Sequence, residues 1–251
     1  MTADRQVDSS GISIVIPTLN EEKCLRKTLL HARSQSTEPD ALHFIVIDAG
    51  SEDETLKSIA DLGMEVHSNP KWRGKKYASL NVGLQLSQSP VTLFLDADTL
   101  LPRAFDEHVL RTLAQPKVIG GAFEMTFDQM DWQLWVVRLV NRLRYRIEKL
   151  YYGDQALFCR TSSAMDVGGI PETPLMEAAY FCRALKRSGR LRLIRQEVIT
   201  SARRFRQHGR WKVFWFDIRM WLRFTARRDI SKFADGYWSQ NNDPVKPPPT
   251  P

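Results

Sequence analysis

Residues 91–99 read VTLFLDADT, an apolar run that ends in two aspartates separated by one alanine. Such a run of apolar and β-branched residues predicts a buried strand over 91–95. Toward the N-terminus, similar strand patterns recur at 64–67, 44–47 and 12–16. Helical patterns separate them near 77–86, near 52–62, and after Asn20, which is expected to cap a helix. Strands that alternate with helices predict an α/β fold with a mostly parallel sheet flanked by helices.

Polar side chains cluster at the points where three of these strands end. They are Thr18, Asn20 and Glu21 after the first strand, Asp48, Ser51 and Asp53 after the second, and Asp96 and Asp98 after the fourth. In open parallel sheets, ligands bind outside the carboxyl ends of the strands. The sequence therefore predicts a ligand site at this edge of the sheet.

Asp96 and Asp98 are the candidate metal ligands. Two carboxylates at this spacing can share one Mg²⁺ or Mn²⁺, since both metals prefer oxygen ligands, and the metal would neutralise a diphosphate. The alternative is that the aspartates only cap the strand or form a turn.

Asp48 and Lys75 are two further candidates for ligand binding, each with an alternative role. The Asp48 carboxylate can accept hydrogen bonds from a ribose or a base N–H, or it can serve as an anion at the start of the next helix. Lys75 lies in a basic loop before a helix, where it can meet a phosphate, or it can belong to a solvated run of charge.

The second half of the chain has a different pattern. A strand is predicted over 122–127, and a long amphipathic helix over 131–151 has Trp132, Trp135, Leu139, Leu143 and Ile147 along one side. A helix near 175–186, strands near 191–195 and 198–206, and a final helix near 210–227 follow. The predicted organisation is a catalytic domain over 11–206, an amphipathic helical extension over 207–238 and a proline-rich disordered tail over 239–251.

Composition and charge exclude several classes of protein. The three cysteines are far apart, which argues against a disulfide framework or a zinc site. The first ten residues are polar and no stretch has the roughly 18 apolar residues of a membrane span, so we expect a cytoplasmic protein. Residues 183–228 contain fifteen Lys and Arg but two acids, which predicts an anionic partner. No recognisable RNA- or DNA-binding motif is present, so we expect no nucleic-acid partner.

The final helix places aromatic residues such as Trp211 and Trp215 at helical spacing, with Lys212, Arg219 and Arg223 on another side. This pattern suits a helix that lies on an anionic membrane surface, here the inner face. The alternative is that the apolar stripe packs on the catalytic domain.

Several motifs together resemble the family 2 glycosyltransferases, which have the GT-A fold. The matching segments are VIPTLNEE at 15–22, IDAGSEDET at 47–55, LFLDADT at 93–99, Gly74-Lys75, and Asn81 with Gly83. Later segments resemble a bacterial subfamily often labelled arsenosugar-biosynthesis glycosyltransferases; they are YGDQALF at 152–158, GGIP at 168–171, PLME at 174–177 and TSARRF at 200–205.

The resemblance implies an inverting transfer of a sugar from a nucleotide-diphosphate sugar. By this likeness Pro17, Thr18, Glu21 and Asp48 would hold the nucleoside, and Asp96 and Asp98 would contact the ribose and the metal-bound diphosphate. Arg203 or Arg204 would reach the diphosphate from the C-terminal side.

The chain departs from the family pattern at the expected catalytic base. The family usually has Met-Glu-Asp at the start of a helix, whereas this chain has Met176-Glu177-Ala178. A base is worth roughly 10²–10⁴ in rate for a neutral hydroxyl acceptor. Three explanations compete: Glu177 or Asp154 acts as the base, the acceptor is an anion such as a polyprenyl phosphate, or the chain binds a nucleotide sugar without catalysis. Nucleotidyl transfer on a similar sheet is disfavoured, because no glycine-rich phosphate motif follows the first strand.

Overall fold

The structure is a computed structural model that describes residues 11–234 and 236–237; the tail predicted to be disordered, 239–251, lies outside the described residues. The strands are β1 (Ile12–Thr18), β2 (Leu42–Asp48), β3 (Glu65–Ser68), β4 (Val91–Phe94), β5 (Thr99–Leu100), β6 (Val118–Phe127), β7 (Phe158–Arg160) and β8 (Arg190–Thr200). They form one sheet in the order β3-β2-β1-β4-β7-β6-β8-β5.

The sheet is mixed, with its parallel part at the N-terminal half of the chain. Parallel pairs join β3, β2, β1 and β4, and a further parallel pair joins β6 to β8. The strand β7 runs antiparallel between β4 and β6, and β5 runs antiparallel to β8. The predicted mostly parallel α/β sheet is confirmed. Thr18 is in register with Asp48, so the ends of β1 and β2 meet at the same edge.

The helices are α1 (Leu25–Gln35), α2 (Lys76–Leu86), α3 (Phe105–Leu113), α4 (Trp132–Glu148), α5 (Thr161–Asp166), α6 (Glu177–Leu185), α7 (Arg203–His208) and α8 (Arg210–Thr225). The helices cover both faces of the sheet. Since successive side chains of a strand point to opposite faces, neighbouring residues of β1 pack in different buried clusters. Ile14 and Ile16 pack in one buried cluster with Leu29, whereas Val15 packs in a second cluster with Leu84.

Three local predictions are wrong. Asn20 does not cap a helix: its φ of 53° is left-handed, and α1 begins only at Leu25 after a turn closed by the Glu21 carbonyl. The helix expected over 52–62 is a 3₁₀ segment, Lys57–Leu62. The strand expected over 198–206 ends at Thr200, because α7 turns Phe205 back onto Phe127 with ring centroids 5.2 Å apart.

The final helix is present as α8, and it packs against α7 and α4. Its Val213 and Phe214 belong to one buried cluster, and its Met220 and Phe224 to the other. This packing agrees with the alternative role of the apolar stripe, although the division of the chain at residue 206 stays a prediction. Throughout the described ranges, no helix combines the length and apolar content that crossing a membrane requires.

The apolar stripe of α4 does not face the core. Trp132, Trp135, Leu139 and Leu143 are exposed, whereas Leu134 and Val137 on the opposite side of the helix are buried. The side chain of Ile147 lies outside the described residues. Periodicity identified residues that share one side of this helix, but the side that packs is a different one.

Candidate active site

A cavity of about 540 Å³ opens at the carboxyl ends of β1 and β4. Its walls come from the loops after these strands, from a 3₁₀ turn at Gly153–Gln155, and from α4, α7 and α8. Eight of the predicted site residues line it: Pro17, Thr18, Glu21, Asp96, Asp98, Asp154, Arg203 and Arg204. The predictions made from separate segments of sequence therefore meet at one site.

The loops after β1 and β2 hold each other in place beside this cavity. The Asn20 side-chain oxygen accepts a hydrogen bond from the Glu52 backbone N–H at 2.9 Å, and the Asn20 N–H donates to the Ser51 hydroxyl at 2.8 Å. The Glu21 N–H donates to the Thr55 hydroxyl at 2.8 Å. Asparagine tolerates the left-handed backbone that this arrangement needs, so the loop directs Glu21 toward the cavity.

Asp48 is buried at the end of β2, and it does not line the cavity. Its carboxylate accepts hydrogen bonds from the Gly50 N–H at 3.0 Å, the Ser51 N–H at 3.1 Å and the Ser68 hydroxyl at 2.6 Å. These local bonds occupy the oxygens and order the turn. A contact between Asp48 and the nucleoside stays a prediction.

The lysine that faces the site is Lys76, which the sequence did not single out. Its Nζ donates to Asp96 Oδ1 at 2.6 Å, whereas Lys75 precedes the first turn of α2 and does not line the cavity. Burial acts to lower the pKa of Lys76, but Asp96 and Glu177 outweigh it and raise the pKa. Lys76 is therefore a fixed cation beside the first aspartate.

Asp98 lies where negative charge is concentrated. Burial raises the pKa of its carboxyl to about 7, with further contributions from Asp96 and Glu21. Arg203 opposes this shift: it lies 3.8 Å from Asp98 Oδ2, and its guanidinium donates to both Glu21 oxygens at 3.1 and 2.7 Å. The Glu21 hydrogen bonds raise the pKa of Arg203, so the arginine stays charged.

Asp154 is held on the 3₁₀ turn against the Lys76–Asp96 pair. A Cβ atom added at Gly153 would lie 3.1 Å from Lys76 Nζ and 3.2 Å from Asp96 Oδ2, so the turn lies close to both groups. Gln155 fixes the turn, because its side-chain amide donates to the Phe123 carbonyl at 3.0 Å. Burial and the nearby Asp96 raise the pKa of Asp154 to about 6.

Glu177 and Ala178 occupy the first turn of α6. Ala178 lines the cavity, so the position where the family pattern has an aspartate does face the site. Glu177 is half-buried and does not line the cavity, although its charge contributes to the raised pKa of Lys76.

Two further polar residues, both missed by sequence reasoning, complete the wall. Asp217 of α8 forms an ion pair with Arg204, and burial raises its pKa. Arg144 of α4 stacks on the Tyr152 ring with its guanidinium carbon 4.2 Å from the ring centroid. No local motif marks these residues, since only packing brings α4 and α8 to the strand ends.

A metal ion at this site would need ligands from a bound molecule. Within the part of the chain that the structure describes, no group of three His, Cys, Asp or Glu side chains is placed to hold a metal. Asp96 is paired with Lys76, whereas burial, with added contributions from Asp96 and Glu21, raises the pKa of Asp98, and a nearby cation would favour the ionised form of that carboxyl. The residues therefore fit a metal that shares Asp98 with the oxygens of a ligand.

Comparison with known proteins gives consistent matches. The chain matches the family described as Glycosyl transferase family 2 over residues 13–168, which is more than half of its length. A segment of 113 residues is 33% identical to 4,4'-diaponeurosporenoate glycosyltransferase of Staphylococcus haemolyticus, covering 43% of this chain and 28% of that protein. A segment of 123 residues is 28% identical to glycosyltransferase AglE of Haloferax volcanii, covering 46% of this chain and 40% of that protein. The matches thus span less than half the length of these curated relatives.

Solved structures share the fold. A mannosyltransferase of Pyrobaculum calidifontis, solved with GDP-Man and Mn²⁺, superposes with a TM-score of 0.70 at 19% identity, covering 88% of this chain and 65% of that one. S. aureus TarS with UDP-GlcNAc superposes with a TM-score of 0.62 at 17% identity, covering 76% and 58%. The GT-A fold is confirmed, and the arsenosugar subfamily stays a prediction. With a family match over most of the sheet and these strand-end loops, the chain belongs to glycosyltransferase family 2.

Proposed function

We propose that this chain transfers a sugar from a nucleotide-diphosphate sugar to an acceptor with inversion at the anomeric carbon. The observation that carries the proposal is the convergence of Glu21, Asp96, Asp98 and Arg203 on one cavity at the strand ends. Family membership and structural relatives solved with GDP-Man and UDP-GlcNAc support it. The nucleoside would contact Pro17, Thr18 and Glu21, and the cations Lys76, Arg203 and Arg204 suit a diphosphate.

The proposed cofactor is Mg²⁺ or Mn²⁺, held by Asp98 with Asp96 beside it. Such a metal, when bound, supplies positive charge that stabilises the leaving diphosphate. Side chains of the protein would supply further positive charge at the site. Lys76 neutralises Asp96, and Arg203 pairs with Glu21 and adds positive charge near Asp98.

For a hydroxyl acceptor, we assign the base to Asp154, with Glu177 as the alternative. Inversion takes one displacement: the acceptor oxygen bonds to the anomeric carbon, the bond to the diphosphate breaks, and the base takes the hydroxyl proton. The choice of Asp154 rests on its position in the cavity wall and on its pKa of about 6, since a base works best when its pKa is near the ambient pH. Glu177 does not line the cavity.

A second candidate is transfer to an anionic acceptor such as a polyprenyl phosphate. Ala178 at the family's base position favours it, because an ionised phosphate oxygen needs no base. Arg144 supplies a further cation in the cavity wall for the same acceptor. A chain that binds nucleotide sugars without turnover is the remaining alternative.

Calorimetry with a panel of nucleotide-diphosphate sugars, with and without Mn²⁺, tests the donor site. We expect metal-dependent binding to the wild type, loss of the metal dependence in Asp98→Ala, and no change in Asp40→Ala, an exposed aspartate outside the cavity. If no nucleotide sugar binds, both the proposed transferase activity and the alternative of nucleotide-sugar binding without catalysis are rejected.

Turnover of the donor by variants that still bind it then separates the mechanisms. With a hydroxyl acceptor, Asp154→Asn should lower kcat by roughly 10²–10⁴. A loss of turnover only in Glu177→Gln would instead assign the base to Glu177. Unchanged turnover in both variants would favour a phosphate acceptor. If the wild type turns over the donor with none of the acceptors tested, the alternative of a nucleotide-sugar-binding protein without catalysis is favoured.

A further inference from the structure

The outer faces of α4 and α8 carry an unusual share of exposed apolar side chains. Among the described residues, six large apolar side chains are more than half exposed, and all six lie on these two helices. They are Trp132, Trp135, Leu139 and Leu143 on α4, between 51% and 69% exposed, and Trp215 and Leu222 on α8, 57% and 53% exposed. We call this set the α4–α8 face.

The two helices lie side by side and run in the same direction. Near their N-termini, the Trp132 and Trp211 rings are 5.8 Å apart, and Arg210 forms an ion pair with Asp131 at 2.6 Å. Near their C-termini, Trp221 donates to Glu148 at 3.0 Å. Trp215 and Leu222 follow Trp211 by four and eleven residues, so they lie on the same side of α8 as the ring that contacts Trp132. The exposed rows of α4 and α8 are therefore adjacent, and clustered exposure on this scale marks an interaction site.

The charge of this surface indicates its partner. On α8, Lys212, Trp215, Arg219 and Leu222 follow at intervals of three and four residues and are all exposed, so cations and apolar groups share one side of the helix. The acids of the two helices are engaged elsewhere: Glu148 accepts hydrogen bonds from Trp221, and Asp217 pairs with Arg204 in the cavity.

We propose that the α4–α8 face binds an anionic lipid bilayer. Tryptophan and leucine side chains interleaved with lysine and arginine suit the boundary between headgroups and acyl chains. A second copy of this chain fits the surface poorly, because two cationic faces would repel each other. The inward sides of the same helices line the cavity through residues such as Asn141 and Trp221, so docking places the cavity beside the bilayer. This placement deepens the proposed function, on which it rests, because it keeps the cavity close to a lipid-borne acceptor.

Flotation of the full chain with lipid vesicles tests the proposal. We expect binding to vesicles that contain phosphatidylglycerol, weak binding to phosphatidylcholine alone, and a decline with salt. Leu139→Gln with Leu143→Gln should weaken binding at least about tenfold through lost apolar burial. The matched control is Leu30→Gln with Leu110→Gln, exposed leucines on α1 and α3, which should bind as the wild type does. Lys212→Gln with Arg219→Gln should lower the affinity for phosphatidylglycerol vesicles about tenfold or more and reduce the salt dependence of binding.

Three results would overturn the proposal: no binding to phosphatidylglycerol vesicles at low salt, equal losses in the two leucine pairs, or a dimer in sedimentation velocity that Leu139→Gln with Leu143→Gln abolishes. Nucleotide-sugar titration of the same variants separates this proposal from the proposed function. The exposed substitutions should leave donor affinity unchanged. If the wild type binds vesicles but no nucleotide sugar, the proposed function fails while the membrane surface stands.

Discussion

Replacement of Lys76 by methionine tests the charge arrangement of the cavity. The variant removes the cation 2.6 Å from Asp96 while it keeps an unbranched side chain of similar length. The Lys76 and Asp96 side chains are 27% and 24% exposed, so the pair lies between a surface pair and a fully buried one. Surface pairs contribute about 0–1 kcal/mol, and loss of one partner of a buried pair costs about 3–5 kcal/mol. We therefore expect the free energy of unfolding to fall by about 2 kcal/mol near neutral pH.

The dependence of this loss on pH is the sharper part of the prediction. Burial chiefly raises the pKa of Asp98 and of Asp154, to about 7 and about 6, and Lys76 partly offsets both shifts. Without Lys76 both pKa values rise further. The folded state then holds more protons than the unfolded state above the ordinary carboxyl pKa, so stability declines more steeply as pH rises. The deficit of the variant should be largest near pH 8 and should shrink by about half near pH 5.5.

Urea unfolding followed by circular dichroism at these two pH values measures the deficit. Lys75→Met is the matched control, because the neighbouring lysine does not line the cavity. It should change the free energy of unfolding by less than about 0.5 kcal/mol. Equal deficits in the two variants, or a Lys76→Met deficit that does not vary with pH, would refute the assigned charge pairing.

Two further predictions follow from the structure. Burial, with contributions from Asp96 and Glu21, raises the pKa of Asp98 to about 7. The affinity for Mn²⁺ in the presence of a nucleotide diphosphate, measured by calorimetry, should therefore rise about tenfold per pH unit below pH 7 and level off above it. An affinity that does not change with pH would show that Asp98 is not a metal ligand. Truncation after residue 206 removes Val213, Phe214, Met220 and Phe224 from the buried clusters, at about 1.5–3 kcal/mol each, which approaches the whole stability of a typical domain. Circular dichroism should therefore show a loss of cooperative unfolding, whereas a stable fragment would make the extension a separate unit.

The strand ends were predictable because their signals are local. Runs of apolar residues give β1, β2 and β4, and the polar residues that follow them must lie at one edge once the strands are parallel. That reasoning brought Thr18, Glu21, Asp96 and Asp98 together without coordinates. It did not show that Asp48 would lie outside the cavity wall, because the hydrogen bonds from Gly50 and Ser68 that occupy its carboxylate leave no periodic signal in the sequence.

Other features depend on orientation, which periodicity does not determine. Adjacent lysines at the start of α2 point in different directions, and the sequence alone does not choose between Lys75 and Lys76. The repeating pattern of α4 indicates that Trp132 and Leu139 share a side, but not that this side faces solvent. Asp217 and Arg144 reach the cavity only because α8 and α4 pack together beside the strand ends, so no local pattern points to them.

The pairing of charges in the cavity assigns different roles to carboxylates that look alike in the sequence. Glu21 is bound to Arg203, Asp96 to Lys76 and Asp217 to Arg204, and these ion pairs hold the carboxylates in place. For Asp154, burial and the charge of Asp96 outweigh the opposing charges of Arg144 and Lys76, which leaves its pKa at about 6. A carboxyl in that condition exchanges a proton near neutral pH. Although Ala178 stands where the family pattern has an aspartate, the site still contains a carboxyl suited to proton transfer. That carboxyl is Asp154, on a turn that lies close to the Lys76–Asp96 pair.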